Sequence, residues 1–169
     1  MLIRQETPAD YAAVYQLITQ AFAAAQHADG TEQDLVAALR KSPAFIPELS
    51  IVAEMDGELA GHILFTRAHV GPAEVLALAP LSVAPKYQRR GVGTALIARG
   101  HEIAAGLGFS YSVVLGSETY YPRAGYLPAA QLGVEAPEGI PPQNFMAVKL
   151  RENAAPICGP VTYPTEFGL

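Results

Sequence analysis

The chain has 169 residues, of which 50% are hydrophobic and 16% are charged, and its formal net charge is −5. This length suits one compact domain, and the composition argues against a disordered chain. No apolar run reaches the roughly 20 residues of a membrane span, and the acidic balance disfavours a nucleic-acid surface, which needs an excess of Lys and Arg. The first residues lack the pattern of a secretory signal. We therefore expect a cytoplasmic domain without membrane or nucleic-acid partners.

The single cysteine, Cys158, limits the metal and redox chemistry that the sequence can support. One thiol cannot form an internal disulfide, and Cys158 has neither a paired cysteine nor clustered histidines at the spacing of a zinc site. We expect no structural metal and no disulfide.

The start of the chain predicts one strand and two helices. Residues 1–4 alternate as a short strand, and Thr7 and Pro8 suit the N-cap and first position of a helix. Thr31 and Asp34 repeat this start signal for a second, shorter helix. The apolar residues of the first helix recur at helical spacing: Val14, Leu17, Ile18, Ala21 and Phe22.

The middle of the chain predicts an antiparallel meander. Residues 49–55 and 58–70 read as strands joined by Asp56-Gly57, a pair typical of tight hairpins, and residues 75–83 read as a third strand.

A strand, helix, strand unit is predicted next. A helix begins near Gly91, and residues 111–115 form a β-branched strand parallel to the strand before the helix. A short helix over 117–124 and two strands over 126–132 and 145–150 complete the pattern. We expect a domain over residues 1–150 and, because the last residues show no period, a tail over 151–169 packed on that domain.

The segment 81–96 is the most informative part of the sequence. A strand enters a basic loop, and the loop enters glycines that open a helix. Unpaired N–H groups at a helix N-terminus bind phosphate, and Gly91 and Gly93 leave them accessible, while Arg89 and Arg90 add positive charge. The pattern is neither a Walker loop nor a dinucleotide fingerprint. Two glycines before a helix would fit a flexible basic loop equally well.

The complete pattern resembles the pyrophosphate loop of the GNAT superfamily of N-acetyltransferases. Gln-x-x-Gly-x-Gly starts at Gln88 and is preceded by Leu-x-Val-x-Pro from Leu81. The early strand and helices, the hairpin and the block 120–126 follow in the family's order, and residues 159–163 resemble the ending of a bacterial subgroup of predicted acetyltransferases. The resemblance implies an α/β GNAT fold, with a mixed, mostly antiparallel sheet splayed between its two parallel middle strands and about four flanking helices.

The resemblance also implies a ligand and a set of residues that bind it. The ligand is acetyl-CoA, the acyl donor, and no metal is involved. The strand around Pro80 bulges in the family, so that the main chain of Leu81 and Val83 would bond the pantetheine arm. The implied cofactor-binding residues are Leu81, Ser82, Val83, Gln88, Arg89, Arg90, Gly91, Val92, Gly93, Thr94, Ser117, Tyr120 and Arg123.

Tyr121 is the candidate catalytic residue. It matches the family position whose phenol points at the thioester sulfur, and the implied reaction is direct attack by a primary amine in a ternary complex. Proton transfer from a phenol of pKa about 10 to the thiolate of a thiol of pKa about 8.5 costs free energy. Hydrogen-bond donation, or transfer from a phenol whose pKa is locally lowered, is therefore more credible. Tyr121 could instead serve only to pack the short helix.

The general base is not assigned by the sequence. Many relatives carry a carboxylate two residues ahead of the Leu-x-Val, where this chain has Ala79 and Pro80. Glu54, His62 and Glu118 are the available substitutes, and a water relay would leave no trace in the sequence.

Two functions of different class follow from the resemblance. The first is an N-acetyltransferase, an acyltransferase that transfers groups other than aminoacyl groups. The second is a catalytically silent acyl-CoA-binding sensor or interaction module. The acceptor would be a small-molecule or peptide amine, bound by the early helices and late loops. The protein is expected to be a monomer or a homodimer.

Overall fold

The structure is a computed structural model that describes residues 1–23, 25 and 28–169. The described residues form an α/β fold with three α-helices and nine strands. The helices are α1 (Tyr11–Phe22), α2 (Glu32–Leu39) and α3 (Val92–Gly106). The strands are β1 (Leu2–Gln5), β2 (Phe45–Met55), β3 (Glu58–Val70), β4 (Ala73–Val83), β5 (Tyr111–Leu115), β6 (Leu127–Pro128), β7 (Val134–Glu135), β8 (Phe145–Lys149) and β9 (Gly159–Thr162).

The sheet confirms the predicted mixed architecture. Its order is β1-β2-β3-β4-β5-β8-β6, with β9 added to the end of β3 and β7 paired to β9. The pairs from β1 to β4 are antiparallel, as the meander requires, while β4 and β5 in the middle are parallel. The short β7–β9 pair is also parallel. At the β2–β3 turn, Asp56 and Gly57 both have positive φ, 53° and 79°, as a tight hairpin demands.

The expected count of about four helices is slightly wrong, because the described chain has three α-helices. The predicted helix over 117–124 is reduced to one turn of 3-10 helix at Tyr121–Ala124. Pro122 occupies the start of that turn, and Gly125, with a φ of 95°, ends it immediately.

The predicted strand over 126–132 is also wrong in extent. Only Leu127 and Pro128 pair with β8, and a 3-10 helix follows at Ala129–Leu132. Proline has no N–H to donate to a ladder, so the strand cannot continue through Pro128.

Helix α3 and helix α1 cover the sheet through close contacts. Gly61 on β3 lies so close to Val92 and Leu96 of α3 that a Cβ would be 2.9 Å from both side chains. Gly100 of α3 packs in the same way on the ring of Phe65. Helix α1 packs on β3 and β4. Because strand side chains alternate, His62, the neighbour of Gly61, points to the face opposite α3.

The C-terminal segment contains a strand that the sequence did not predict. Val161 and Thr162 of β9 pair with Val70 and His69 of β3, and the Tyr111 hydroxyl donates to the Ala155 carbonyl over 3.0 Å. The division into residues 1–150 and 151–169 stays a prediction.

In the part of the chain that the structure describes, no helix combines the length and apolar character that crossing a membrane would take. The described ranges also contain no group of three or more His, Cys, Asp or Glu side chains placed to hold a metal ion. The cytoplasmic location and the oligomeric state stay predictions.

Candidate active site

The site lies where β4 and β5 separate. The two strands pair only at Leu76–Leu78 with Ser112–Val114. Beyond that point β4 carries one extra residue relative to β3, because Phe65 pairs with Leu78 but Ile63 pairs with Leu81. This β-bulge contains Ala79 and Pro80 and turns the end of β4 away from β5. The expected splay between the parallel middle strands is therefore present.

A cleft of about 1110 Å³ opens in this fork. It runs from the loop before α3, across the ends of β4 and β5, to α1, the segment before α2 and the C-terminal segment. All predicted site residues except Arg90 line it. They are Leu81, Ser82, Val83, Gln88, Arg89, Gly91, Val92, Gly93, Thr94, Ser117, Tyr120, Tyr121 and Arg123.

The main chain of β4 offers hydrogen-bonding groups to the cleft. The Ala84 N–H donates to the Ala60 carbonyl over 2.8 Å, so Ala84 faces β3. In an antiparallel ladder the backbone groups of successive residues point to opposite sides. Those of Val83 and Leu81 therefore point toward the fork, although the Gln88 side-chain amide already donates to the Val83 carbonyl over 3.2 Å.

The N-terminus of α3 presents a run of free amides to the same cleft. Gly91 has a φ of 84° and Arg89 a φ of 62°, and these left-handed residues turn the chain into the helix. The first helical bond is donated by Ala95 to the Gly91 carbonyl, over 3.1 Å. The N–H groups of residues 89–94 donate to no acceptor within the described residues. Such a cluster, at the positive end of the helix, suits a phosphate group.

The lack of a side chain at Gly93 makes room for the side chain of Tyr120. A Cβ on Gly93 would overlap the Tyr120 hydroxyl and would lie 3.6 Å from Leu81. The absence of a side chain at position 93 thus lets the half-buried Tyr120 close over the first turn of α3.

Positive charge is unevenly distributed around the loop. Arg89 and Arg123 are exposed and line the cleft. Arg90 instead lies over the Tyr87 ring, 5.4 Å from its centre. The Tyr87 hydroxyl donates to Glu58 over 2.6 Å, which fixes the ring. The structure therefore does not bring Arg90 to the cleft.

Ser117 acts mainly on its own turn. Its hydroxyl oxygen accepts hydrogen bonds from the N–H groups of Thr119 and Tyr120, each over 3.2 Å. This arrangement orders the turn that carries Tyr120 and Tyr121.

Tyr121 lies half-buried in the wall of the cleft. Its ring meets those of Tyr120 and Tyr126 edge to face, with centroids 5.1 Å and 5.8 Å apart. Its hydroxyl makes no hydrogen bond with any described residue. Burial, with a smaller contribution from Tyr120, raises the pKa of the Tyr121 phenol above its ordinary value. The phenol therefore stays protonated at neutral pH and can donate, and the alternative of a lowered pKa finds no support.

The three candidate bases lie away from the cleft. Glu54 accepts a hydrogen bond from Arg4 over 2.8 Å, and Glu118 accepts one from Asn144 over 2.7 Å. His62 is fully buried and bonds Ser50 over 3.0 Å. Burial and the Arg40 guanidinium, opposed by Glu6, lower the pKa of His62 to about 4. None of the three lines the cleft.

The far end of the cleft consists of residues that no sequence motif indicated. Phe22, Leu35, Tyr163 and Phe167 supply apolar surface there, and Asp29 and Glu32 supply carboxylates. Tyr163 follows β9 directly, so its position depends on pairing with a strand about 90 residues earlier in the chain. No local pattern marks such a residue.

Comparison with known proteins agrees with this geometry. The sequence pattern of the acetyltransferase (GNAT) family matches residues 11–126. This chain belongs to the GNAT acetyltransferase family. It is 43% identical over 118 residues to an uncharacterized N-acetyltransferase of Escherichia coli K12, YjhQ. That match covers 67% of this chain and 65% of YjhQ, so the chain spans slightly less than two thirds of that relative.

Two solved structures of the GNAT family share the whole fold. One is YhbS of Escherichia coli in complex with CoA, with a TM-score of 0.87 and 27% identity over 99% of this chain and 92% of that one. The other is a GNAT family acetyltransferase of Brucella melitensis in complex with acetyl-CoA. Its TM-score is 0.81, with 32% identity over 98% of this chain and 97% of that one.

Proposed function

We propose that this protein is an acyl-CoA-dependent N-acetyltransferase that transfers acetyl from acetyl-CoA to a primary amine by direct attack in a ternary complex. The observation that carries the proposal is the convergence of three features on one cleft: the free amides of residues 89–94, the unpaired β4 edge at Leu81 and Val83, and the Tyr121 phenol. The CoA and acetyl-CoA complexes of the two structural relatives support it.

Each element of the cleft has a defined task in this reaction. The amides at the start of α3 bind the diphosphate, with Arg89 and Arg123 adding charge on its flanks. The main chain of Leu81 and Val83 bonds the pantetheine amides as a neighbouring strand would. Acetyl-CoA supplies the acetyl thioester to the centre of the fork. A main-chain N–H there can polarise the carbonyl, and such a donor is worth a few kcal/mol in acyl transfer.

Tyr121 assists the departure of the thiol. Its proton has no acceptor among the described residues, and its raised pKa keeps it in place across the neutral range. The phenol can therefore donate a hydrogen bond to the leaving sulfur, which stabilises the negative charge that develops there.

The amine must be neutral, not ammonium, when it attacks the thioester. Less than about a thousandth of an alkyl amine of pKa near 10.4 is neutral at pH 7, so its deprotonation needs assistance or selection. Because Glu54, His62 and Glu118 lie elsewhere, we propose that water, rather than a side-chain base, carries this proton to solvent.

The decisive experiment measures free-thiol release from acetyl-CoA with a panel of primary amines, beside direct measurement of acetyl-CoA affinity. Turnover with at least one amine is expected. Tight binding of acetyl-CoA with no turnover on any amine would instead support the sensor, the second function considered from the sequence.

The phosphate loop is tested separately by Gly91→Val. Gly91 has a φ of 84°, which a β-branched residue cannot adopt without strain, so the variant should misplace the loop amides and lose acetyl-CoA binding. Unchanged affinity in a folded variant would show that the diphosphate binds elsewhere.

A further inference from the structure

The cleft has two ends of opposite character. The cationic residues that line it, Arg89 and Arg123, both lie at the end formed by the α3 loop and the short 3-10 helix. At the other end the described lining contains no Lys or Arg and includes Asp29 and Glu32. A polyanion suits the first end, and a cation suits the second.

Tyr163 is a largely buried tyrosine at the second end of the cleft. The residue is only 9% exposed, and it lines the cleft. Its ring packs on Phe167 with centroids 5.0 Å apart, and its hydroxyl makes no hydrogen bond with a described residue. The hydroxyl oxygen itself is not sealed from solvent, so it is free to bond a ligand that enters the cleft. Burial raises the pKa of the phenol, which remains neutral and can accept an N–H.

The surfaces beside Tyr163 are apolar. Phe22 of α1, Leu35 of α2 and Phe167 of the C-terminal segment all line this end. These side chains suit a ligand whose contacting part is hydrocarbon or aromatic, because burying unpaired polar groups against them would cost free energy.

The carboxylates sit at the edge of this apolar surface. The Asp29 carboxylate accepts two bonds from Thr31, from its N–H over 2.8 Å and its hydroxyl over 2.6 Å, and these lower the pKa of Asp29. Glu32 accepts the Asp29 N–H over 3.0 Å with one oxygen, while its other oxygen is buried and has no partner among the described residues. The negative charge attracts an ammonium group and repels a carboxylate.

On the basis of the function proposed above, we infer that the acceptor is a primary amine on an apolar body without a carboxylate, such as an arylalkylamine, and that the Tyr163 hydroxyl accepts its N–H. An amine held by this bond keeps its nitrogen lone pair free to face the fork between β4 and β5. An amino acid, with its carboxylate beside the amine, would meet Asp29 and Glu32 unfavourably.

Two probe amines that differ only by a carboxylate test this inference: 2-phenylethylamine and L-phenylalanine. Each is titrated calorimetrically into the protein saturated with CoA, and each is assayed by thiol release from acetyl-CoA. We expect 2-phenylethylamine to bind at least about tenfold more tightly, because the carboxylate of L-phenylalanine is repelled by Asp29 and Glu32. Equal or tighter binding of L-phenylalanine would overturn the inference.

Tyr163→Phe removes the hydroxyl and keeps the ring. The affinity for 2-phenylethylamine should fall about fivefold to tenfold, the effect of one lost hydrogen bond, while the affinity for CoA is unchanged. Tyr111→Phe is the matched control, since Tyr111 is also a buried tyrosine but bonds Ala155 away from the cleft. Glu32→Gln should reduce the preference for 2-phenylethylamine over L-phenylalanine without removing a ring contact.

The outcomes separate the acceptor from the reaction. Selective binding of 2-phenylethylamine, sensitive to Tyr163→Phe, without any turnover would uphold the acceptor inference and refute the proposed catalysis. The opposite result is turnover of amines whose affinity is the same in the parent, in Tyr163→Phe and in Glu32→Gln, with unchanged thermal unfolding of these variants. It would uphold the proposed catalysis and refute the acceptor inference.

Discussion

Burial determines what the Tyr121 side chain can contribute. A phenol in water loses its proton near pH 10, but the rings of Tyr120 and Tyr126 exclude water from Tyr121, and its pKa is raised. A group in this state is a poor base and a persistent donor. Tyr121 therefore fits the stabilisation of a leaving thiolate better than the activation of an amine.

Tyr121→Phe should lower kcat about 100-fold, the usual scale for one donor aimed at a developing charge. The dissociation constant for acetyl-CoA should not change, because the ring and its packing are retained. Steady-state thiol release and direct binding measure the two quantities. Tyr15→Phe, which removes an exposed hydroxyl bonded to Asp34, is the control. Equal activity of Tyr121→Phe and the parent would remove Tyr121 from the mechanism.

His62 belongs to a buried chain of polar groups rather than to the site. Ser50 donates to Glu6 over 2.7 Å, and it therefore accepts the Nε2–H of His62. Arg40 pairs with Glu6 over 2.6 Å. The histidine is thus held neutral, and its pKa of about 4 lies below that of an unfolded histidine.

This histidine should make the fold sensitive to acid. Between pH 6.5 and 4 the unfolded chain binds a proton at His62 more readily than the folded protein does, so the free energy of unfolding falls as the pH is lowered through this window. The loss from pH 7.5 to pH 5 should be about 2 kcal/mol from His62 alone. Urea unfolding at the two pH values measures this loss of unfolding free energy. In His62→Gln the loss should be smaller than in the parent protein by about this amount. An identical pH dependence in the variant and the parent would contradict the lowered pKa.

At the scale of elements, the start of α3 combines a ligand surface with a packing constraint. The free amides of residues 89–94 need an open approach, and Gly93 also needs to admit the Tyr120 hydroxyl. A single substitution there disturbs both.

Gly93→Ala should weaken acetyl-CoA binding by about tenfold or more, because the new Cβ displaces Tyr120 from the first turn of α3. Gly106→Ala, in the last turn of the same helix, is the matched control: nothing lies within 4 Å of a Cβ there. That variant should bind normally and unfold at a slightly higher temperature, since alanine favours the helix. Isothermal titration and thermal unfolding test both variants. Normal binding by Gly93→Ala would show that Tyr120 can move without consequence.

The regular elements were predictable because their signals are local. Hydrophobic periodicity, the Asp56-Gly57 turn and the glycines before α3 each act within a few residues, and the structure confirms the meander and the β4–α3–β5 unit. Two predicted elements, a helix over 117–124 and a strand over 126–132, were too long. A proline in each limits the helix to one turn and the strand to two residues. Their apolar residues suggested longer elements than the backbone could sustain.

At the scale of the whole molecule, pairing between strands far apart in the chain determines the part of the cleft that the sequence could not predict. The end of the cleft beside α3 was predictable, because its residues lie on one continuous loop and one turn. The opposite end was not, because Tyr163 and Phe167 reach it only through the pairing of β9 with β3 and β7. That pairing depends on backbone hydrogen bonds across the chain, and these have no sequence period of their own.

The fit of the C-terminal segment can be tested with two glycines of the same conformation. Gly133 and Gly139 both have a φ of 83°, but a Cβ on Gly133 would overlap the Ile157 carbonyl, whereas one on Gly139 meets nothing within 4 Å. Gly139→Ala should lower the free energy of unfolding by about 1 kcal/mol, and Gly133→Ala by at least about 3 kcal/mol. Urea unfolding measures both. Equal losses would mean that the segment is free to move away from Gly133.

The fork between β4 and β5 divides the chain into separately adjustable parts. In the proposed function, donor chemistry depends on residues 81–94 and 117–123, while the opposite end of the cleft is lined by described residues of α1, of the segment before α2, of α2 itself and of the C-terminal segment. If the proposed acetyltransferase activity is found, a mutant library aimed at another amine could therefore be confined to this opposite end. The residues proposed to bind the acyl donor would stay unchanged.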